Sequence, residues 1–391
     1  MPEHPTIKRS IGWMGLRRGH HAKPLEWLAE KVILLVSMSA ILMVFLIFVF
    51  IAREALPVAL GHMNSALSQA TIPVAQMDKM SKDQLQAYLG LTPGQFATLD
   101  HDTLKTLMEL KIESSNESSK DPDASVNTTQ WRYLLLSHRW SGYSQPQHIW
   151  QPVSQIPKYN IVPLIIGSLK VTLVALIVAV PMALGAAIYV SQLARPRLRE
   201  IAKPVIELLA GIPSVVLGFF ALIVMATALQ WVFGYHSRLN ALCAGIALAF
   251  SVIPVVFSIA EDALTSVPRS YLQAALALGA SRWKAAAQVV LPAALPGVFA
   301  AIALGFGRAI GETMIVLMAS GNASIVSWGI FDSTRTITAT IAAELGEVVF
   351  GSSHYRILFL IGVMLFAVTF LTNLLADVVL HRLKFKLEGK R

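Results

Sequence analysis

Inside the apolar run Pro296–Ser320 stand two ionisable side chains, Arg308 and Glu312. Arg308 lies twelve residues past Pro296, about 18 Å along a helix rising 1.5 Å per residue, which is close to a bilayer midplane. A lone arginine there costs about 2.5–3.5 kcal/mol on insertion scales, so its presence needs a reason. A spacing of four puts Arg308 and Glu312 on one helix face, where they can pair or share a hydrated cavity. Gly307 and Gly311, about 100° round the helix, allow close approach of a neighbouring helix or a ligand. Two readings follow from these residues. One is a structural ion pair holding helices together. The other is a pathway for an oxyanion, which guanidinium geometry suits.

A second pattern lies between the fourth and fifth apolar runs. It reads Gln273-Ala274-Ala275, three residues, Gly279, nine residues, Val289, one residue, then Leu291-Pro292. Small residues would let a short helix sit deep in a groove of another protein, and Gly279 would supply a sharp turn between two helical pieces. An alanine-rich helix lying on the membrane surface is the other reading. The spacing resembles that of the permease subunits of bacterial ATP-binding-cassette importers, which carry Glu-Ala-Ala, Gly and Ile-x-Leu-Pro at these intervals. Gln273 departs from the glutamate and Val289 from the isoleucine. In that family the loop docks in a cleft of the ATPase, which would give Gln273, Ala274, Ala275, Gly279, Leu291 and Pro292 a coupling role.

Within that family, residues 307–314 resemble the phosphate-specific importer permeases, most closely the C-type subunit. So do Ile206–Ser214, and Ile337-Thr338-Ala339 with Glu344. The likeness runs from about Tyr159 to Ala376. It implies a transport role for Arg308 and Glu312, with Gly307, Gly311 and Thr313 beside them. It also implies an A-type partner permease, an ATP-binding-cassette ATPase dimer and an extracytoplasmic phosphate-binding protein, working by alternating access. The chain itself would catalyse no bond cleavage. No Gly-x-x-x-x-Gly-Lys-Ser/Thr phosphate loop is present, so ATP hydrolysis falls to the partner.

The elements that must position these residues are membrane spans. Of the 391 residues 55% are hydrophobic and 14% charged, with a mean hydropathy of +0.59; soluble proteins carry about 25% charged residues. An ordinary soluble enzyme is excluded. Apolar runs long enough to cross the bilayer occur at Val32–Ala52, Ile161–Leu193, Val205–Phe233, Ala241–Ala260, Pro296–Ser320 and Ile357–Leu380. The first exceeds the 7–15 apolar residues of a signal peptide and reads as an anchor. The expected fold is an all-α polytopic membrane protein: six transmembrane helices, a MetI-like ABC permease core, and an extracytoplasmic insert between helices one and two.

Sidedness follows the basic loops. More than half of the 32 Lys and Arg lie in the N-terminal tail, after run two (Arg195, Arg197, Arg199, Lys203), after run four (Arg269, Arg282, Lys284) and at the C-terminus. Both termini are therefore expected in the cytoplasm and Lys120 outside, in a bacterial inner membrane. The net charge of +9 is explained by topology and an anionic leaflet, with no nucleic acid. The expected division is a cytoplasmic tail 1–31, helix one at 32–52, an extracytoplasmic segment 53–160, a core 161–380 containing a coupling loop 261–295, and a tail 381–391.

Within 53–160, the Leu spacing of Lys82–Leu110 predicts two short helices broken at Thr92-Pro93-Gly94, and the polar stretch Glu113–Thr129 reads as a mobile loop. Trp131, Trp140, Tyr143 and Trp150 suit a membrane interface. Lys170 is expected to snorkel outward, while Glu207 and Asp377 sit near cytoplasmic ends. The histidines are scattered and Cys243 is single, so no metal site or cofactor is implied. Two rival functions remain: import of another oxyanion such as sulfate or molybdate, and a membrane sensor or regulatory subunit.

Overall fold

The structure is a computed structural model that describes residues 24–61, 82–89, 91, 93–119 and 122–387. Most of the N-terminal basic tail, Lys120 and the last four residues lie outside them. The chain divides into two units, residues 1–50 and 51–391. In the first, the described residues belong to α1 (Pro24–Ala59).

The second unit begins with the end of α1 and a small helical cluster, α2 (Lys82–Leu89), α3 (Pro93–Thr98) and α4 (His101–Ser119). Three helices thus stand where two were expected, around a core of Leu85, Tyr88, Leu104 and Met108. The polar stretch Glu113–Thr129 is not a mobile loop. Its first part continues α4, a 3-10 turn follows at Pro122–Ser125, and Thr128 and Thr129 are buried. Asp123 holds the turn, accepting from the Ser141 N–H at 2.6 Å and hydroxyl at 2.7 Å. Composition misses this because side-chain to backbone bonds, not apolar burial, order the segment.

Next come α5 (Trp131–Leu135) and a two-stranded antiparallel ribbon, β1 (Trp150–Gln151) on β2 (Lys158–Tyr159), with Trp150 opposite Tyr159. Trp140 and Trp150 are both 2% exposed, so they are core residues of this subdomain and not an interfacial belt. Trp131 donates its indole N–H to the Ala59 carbonyl at 2.9 Å.

The bundle starts at α6 (Val162–Ile188), which runs on as a π-helical turn to Leu193. The third crossing starts later than expected. Proline 213 interrupts the run, leaving an amphipathic α7 (Pro196–Ala210) and then a span made of α8 (Ser214–Phe220), a π turn and α9 (Ala226–Phe233). At the centre is α10 (Ala241–Ser266). Ala175, Ala179, Ala183 and Ala187 make a fully buried stripe on α6 and share one core cluster with Leu248, Val252 and Val256 of α10. Small side chains at every fourth position let two spans approach closely.

After α11 (Arg269–Ala277) come α12 (Arg282–Ala285), a π turn, α13 (Leu291–Ala293) and α14 (Leu295–Gly311), the last bent 75° from the piece before it. The fifth run is not continuous to Ser320. It stops at Gly311 and resumes as α15 (Met314–Ala319). A long non-helical passage leads to α16 (Ile337–Glu344), and α17 (Ser353–Leu387) is the last span. Among the described residues five helices can cross a membrane by length and composition, and the bent pair counted as one span brings the number to six.

That passage fills a requirement of α10, whose first N–H groups have no partner within the helix. The Asp332 and Ile330 carbonyls accept from Ala241 and Leu242 at 3.2 and 2.8 Å, and Asn240 Oδ1 accepts from Cys243 at 2.9 Å. Lys170, 5% exposed, donates to the Ser327 and Gly329 carbonyls at 3.0 Å. It does not snorkel outward. Its ammonium is buried because the passage folds back over it and supplies oxygen acceptors.

Candidate functional site

Arg308 occupies the last turn of α14 and is exposed. Its Nε donates to the carbonyl and the hydroxyl of Ser251 on α10, both at 3.1 Å. Ser251 is itself buried. Both terminal guanidinium nitrogens have no protein hydrogen-bond partner among the described residues.

Glu312 does not lie on the same helix face. Its backbone is extended, φ −69° and ψ 135°, and no ion pair joins it to Arg308 among the described residues. Its Oε1 accepts from the Thr313 N–H at 3.2 Å, and its carbonyl accepts from the Thr338 hydroxyl at 2.9 Å. A spacing of four implies a shared face only within an unbroken helix, and the helix ends one residue earlier. Irregular backbone at membrane depth persists where its polar groups find partners inside the protein or line a cavity; here Thr338 and the Glu312 carboxylate serve.

Gly311 faces open space, whereas Gly307 points at Asn373 of α17, whose Oδ1 would lie 3.7 Å from an added Cβ. Thr313 is partly exposed just past the break. Arg308, Gly307, Gly311, Glu312 and Thr313 are thus brought to one helix end, but as a broken helix and not as a charged stripe.

At the far end of α10, Gln273 and Ala274 are exposed on α11 and Ala275 is buried beneath them. The Gly279 N–H bonds to the Leu276 carbonyl at 3.0 Å and that of Ala280 to the Ala275 carbonyl at 3.1 Å. Gly279 turns the chain with φ +85°, a region that L side chains avoid. Ser281 then caps α12 through the Lys284 N–H at 3.3 Å. Leu278 stands 89% exposed at the tip. Leu291 is half-buried and Pro292 exposed, both in α13.

A charged cluster that the motifs do not mark ties this end together. Glu261 of α10 is fully buried. Its oxygens accept from Arg199 Nη2 at 2.7 Å, Lys203 Nζ at 2.9 Å and Thr265 Oγ1 at 2.9 Å. Lys203 also reaches Asp262 at 2.8 Å, and these bonds, the Asp262 one first, hold its amine above the usual lysine range. The available sequence signal is the acidic pair Glu261-Asp262 closing an apolar run opposite the basic run Arg195–Lys203. Ser251 and Thr338 carry no such signal, since hydroxyls in apolar runs usually bond their own helix.

Residues 179–385 match the family of binding-protein-dependent transport system inner membrane components. A probable ABC transporter permease, YqgH of Bacillus subtilis, is 35% identical over 235 residues, 60% of this chain and 76% of that protein. The phosphate transport system permease PstC of Mesorhizobium japonicum is 34% identical, covering 60% of this chain and 76% of its own length. PstC 1 of Mycobacterium tuberculosis is 33% identical, over 57% and 73%.

Proposed function

The chain belongs to the family of binding-protein-dependent transport system inner membrane components, and from that premise we propose that it carries phosphate across a bacterial inner membrane. It is a multi-pass permease subunit of an ABC importer and not an enzyme; ATP hydrolysis belongs to a partner ATPase, and a second permease completes the pathway. The relatives named as phosphate permeases support the substrate. The finer partners are an A-type permease, an ATPase dimer and an extracytoplasmic phosphate-binding protein, with both termini of this chain cytoplasmic.

One observation carries the reading: Arg308 is fixed through Nε on Ser251 and keeps its two terminal nitrogens unpaired beside a helix break. A guanidinium held that way offers its fork to a tetrahedral oxyanion. The partner permease faces the same opening, and Gly307, Gly311 and Thr313 border the path. Glu312 keeps the break in shape instead of meeting an anion that it would repel. The exposed surface of α11, with Gln273 and Ala274, and the turn at Gly279 dock in the ATPase, and Ala275, Leu291 and Pro292 hold their shape.

The test is uptake by the reconstituted complex. Arg308→Gln should assemble normally and lose about 100-fold or more of phosphate uptake, the scale of about 3 kcal/mol. Normal uptake by this variant removes Arg308 from the mechanism. Competition by sulfate or molybdate equal to that by phosphate would replace the substrate. Labelling of Val153→Cys, 92% exposed in the native chain, by an impermeant reagent in intact spheroplasts tests sidedness; labelling only after lysis reverses it.

A further inference from the structure

Residues 131–160 precede the stretch 179–385 that the family shares, yet they are bonded into the transport core at one carboxylate. The Trp150 indole N–H donates to Glu344 Oε1 at 3.2 Å. The same carboxylate takes Arg335 Nη2 at 2.7 Å and His354 Nε2 at 2.8 Å. The rings of Trp150, Tyr159 and His354 surround it with centroids 6.0 to 6.2 Å apart. A second tie runs from the Ser324 hydroxyl to the Trp150 carbonyl at 3.2 Å.

Glu344 is the last residue of α16, which has 8 residues and is therefore about 12 Å long. A helix so short has little stability of its own and keeps its form through what holds its ends. At the opposite end the Ile337 N–H bonds to Ser168 Oγ at 3.0 Å, and the Thr338 hydroxyl bonds to the Glu312 carbonyl at 2.9 Å. One end is thus fastened to Trp150 and the other to the helix break beside Arg308. Among the described residues, α16 alone has side-chain hydrogen bonds to both the 131–160 region and that break.

We infer that Trp150 and Glu344 are positioning residues through which the segment between the first two spans sets the geometry of the break at Glu312. A load placed on that segment by a substrate-loaded binding protein reaches Arg308 through α16. This rests on the transport reading above, and goes beyond it in giving the segment a task. The rival is a static seam, in which Trp150 only fills space.

The experiment uses the assembled complex in nanodiscs, with phosphate-loaded binding protein as the probe. Trp150→Phe keeps the ring and removes one donor to a charged acceptor. It should leave complex yield and basal ATPase unchanged while cutting stimulation by the loaded binding protein about tenfold. Ser324→Ala, which cuts only the tie to the Trp150 carbonyl, should lower stimulation less. Amide exchange at residues 312–316 should quicken in Trp150→Phe with no substrate present. Unchanged stimulation and exchange in both variants overturns the inference. So does a proportional fall of yield, basal and stimulated ATPase, which is the mark of a static seam. If phosphate-loaded protein fails to stimulate even the native complex, the phosphate reading falls, and the exchange at 312–316 alone decides the link.

Discussion

Glu261 and Arg308 are both charged groups on apolar spans, the first fully buried and the second exposed. Both oxygens of the Glu261 carboxylate are occupied, by Arg199, Lys203 and Thr265. Arg308 has one nitrogen bonded, to Ser251, and two left over. A buried charge is costly unless paired, so a fully paired one is explained by the fold. Arg308 is exposed and held at one nitrogen only, so its fork stays open to a ligand. The same contrast separates Lys170, closed over by two carbonyls, from Arg308. Charge in a span is therefore a weaker sign of a pathway than unfilled hydrogen-bonding capacity at a fixed position.

The contrast breaks if the two sites respond alike. Arg308→Gln should show the largest effect, on uptake alone, while its thermal stability stays within about 0.5 kcal/mol of the native complex. Glu261→Ala should do the reverse, lowering stability by about 3 kcal/mol, as removal of one partner leaves charges without compensation. That is the low end for such losses, because the Arg199 and Lys203 side chains are 35% and 32% exposed and can turn to water. Thermal unfolding in detergent reads both; a Glu261→Ala complex as stable as the native one would show that the cluster is only an exposed ion pair.

Two backbone positions sharpen the picture. A Cβ on Gly167 would run into the Arg335 carbonyl, so Gly167→Ala should displace the passage ahead of α16 and cost about 1–3 kcal/mol, as overpacking does. Quicker amide exchange at 335–340 would register it. Gly279→Ala meets open space but keeps a positive φ, costing about 1–2 kcal/mol in the turn. Uptake per ATP hydrolysed should fall with overall stability intact, and an unchanged ratio would dissociate this turn from coupling.

The smallest effect concerns pH. Lys203 is held above the ordinary lysine value by Asp262 and Glu261. A raised native value gives stability that is whole below the unfolded value, about 10.4, and is lost only as pH climbs through the native one. The attachment of α7 should therefore be constant from about pH 6 to 9. Thermal stability measured against pH checks this; a drop within that window would assign the clamp to another group.

Much of the architecture is legible without coordinates because it depends on neighbours in the chain. Six crossings follow from apolar runs that need no tertiary partner. The turn at Gly279 follows from a glycine at the end of an alanine-rich helix, and its φ of +85° agrees. The start of the third span at Ser214 is not legible in this way, because the apolar run Val205–Phe233 continues through Pro213. What the chain order does not show is where a run is broken by a distant group. The break after Gly311 is completed by Thr338, which bonds to the Glu312 carbonyl 26 positions before it. The seat of Arg308 is Ser251, 57 positions back, and the partner of Trp150 is Glu344, 194 positions away.

The sequence by itself determined the class and the count of crossings, since hydropathy acts over one or two helical turns. Only the tertiary structure decided which charges are satisfied. A hydrogen bond at membrane depth is made with whichever segment folds against the group, and water cannot substitute when none does.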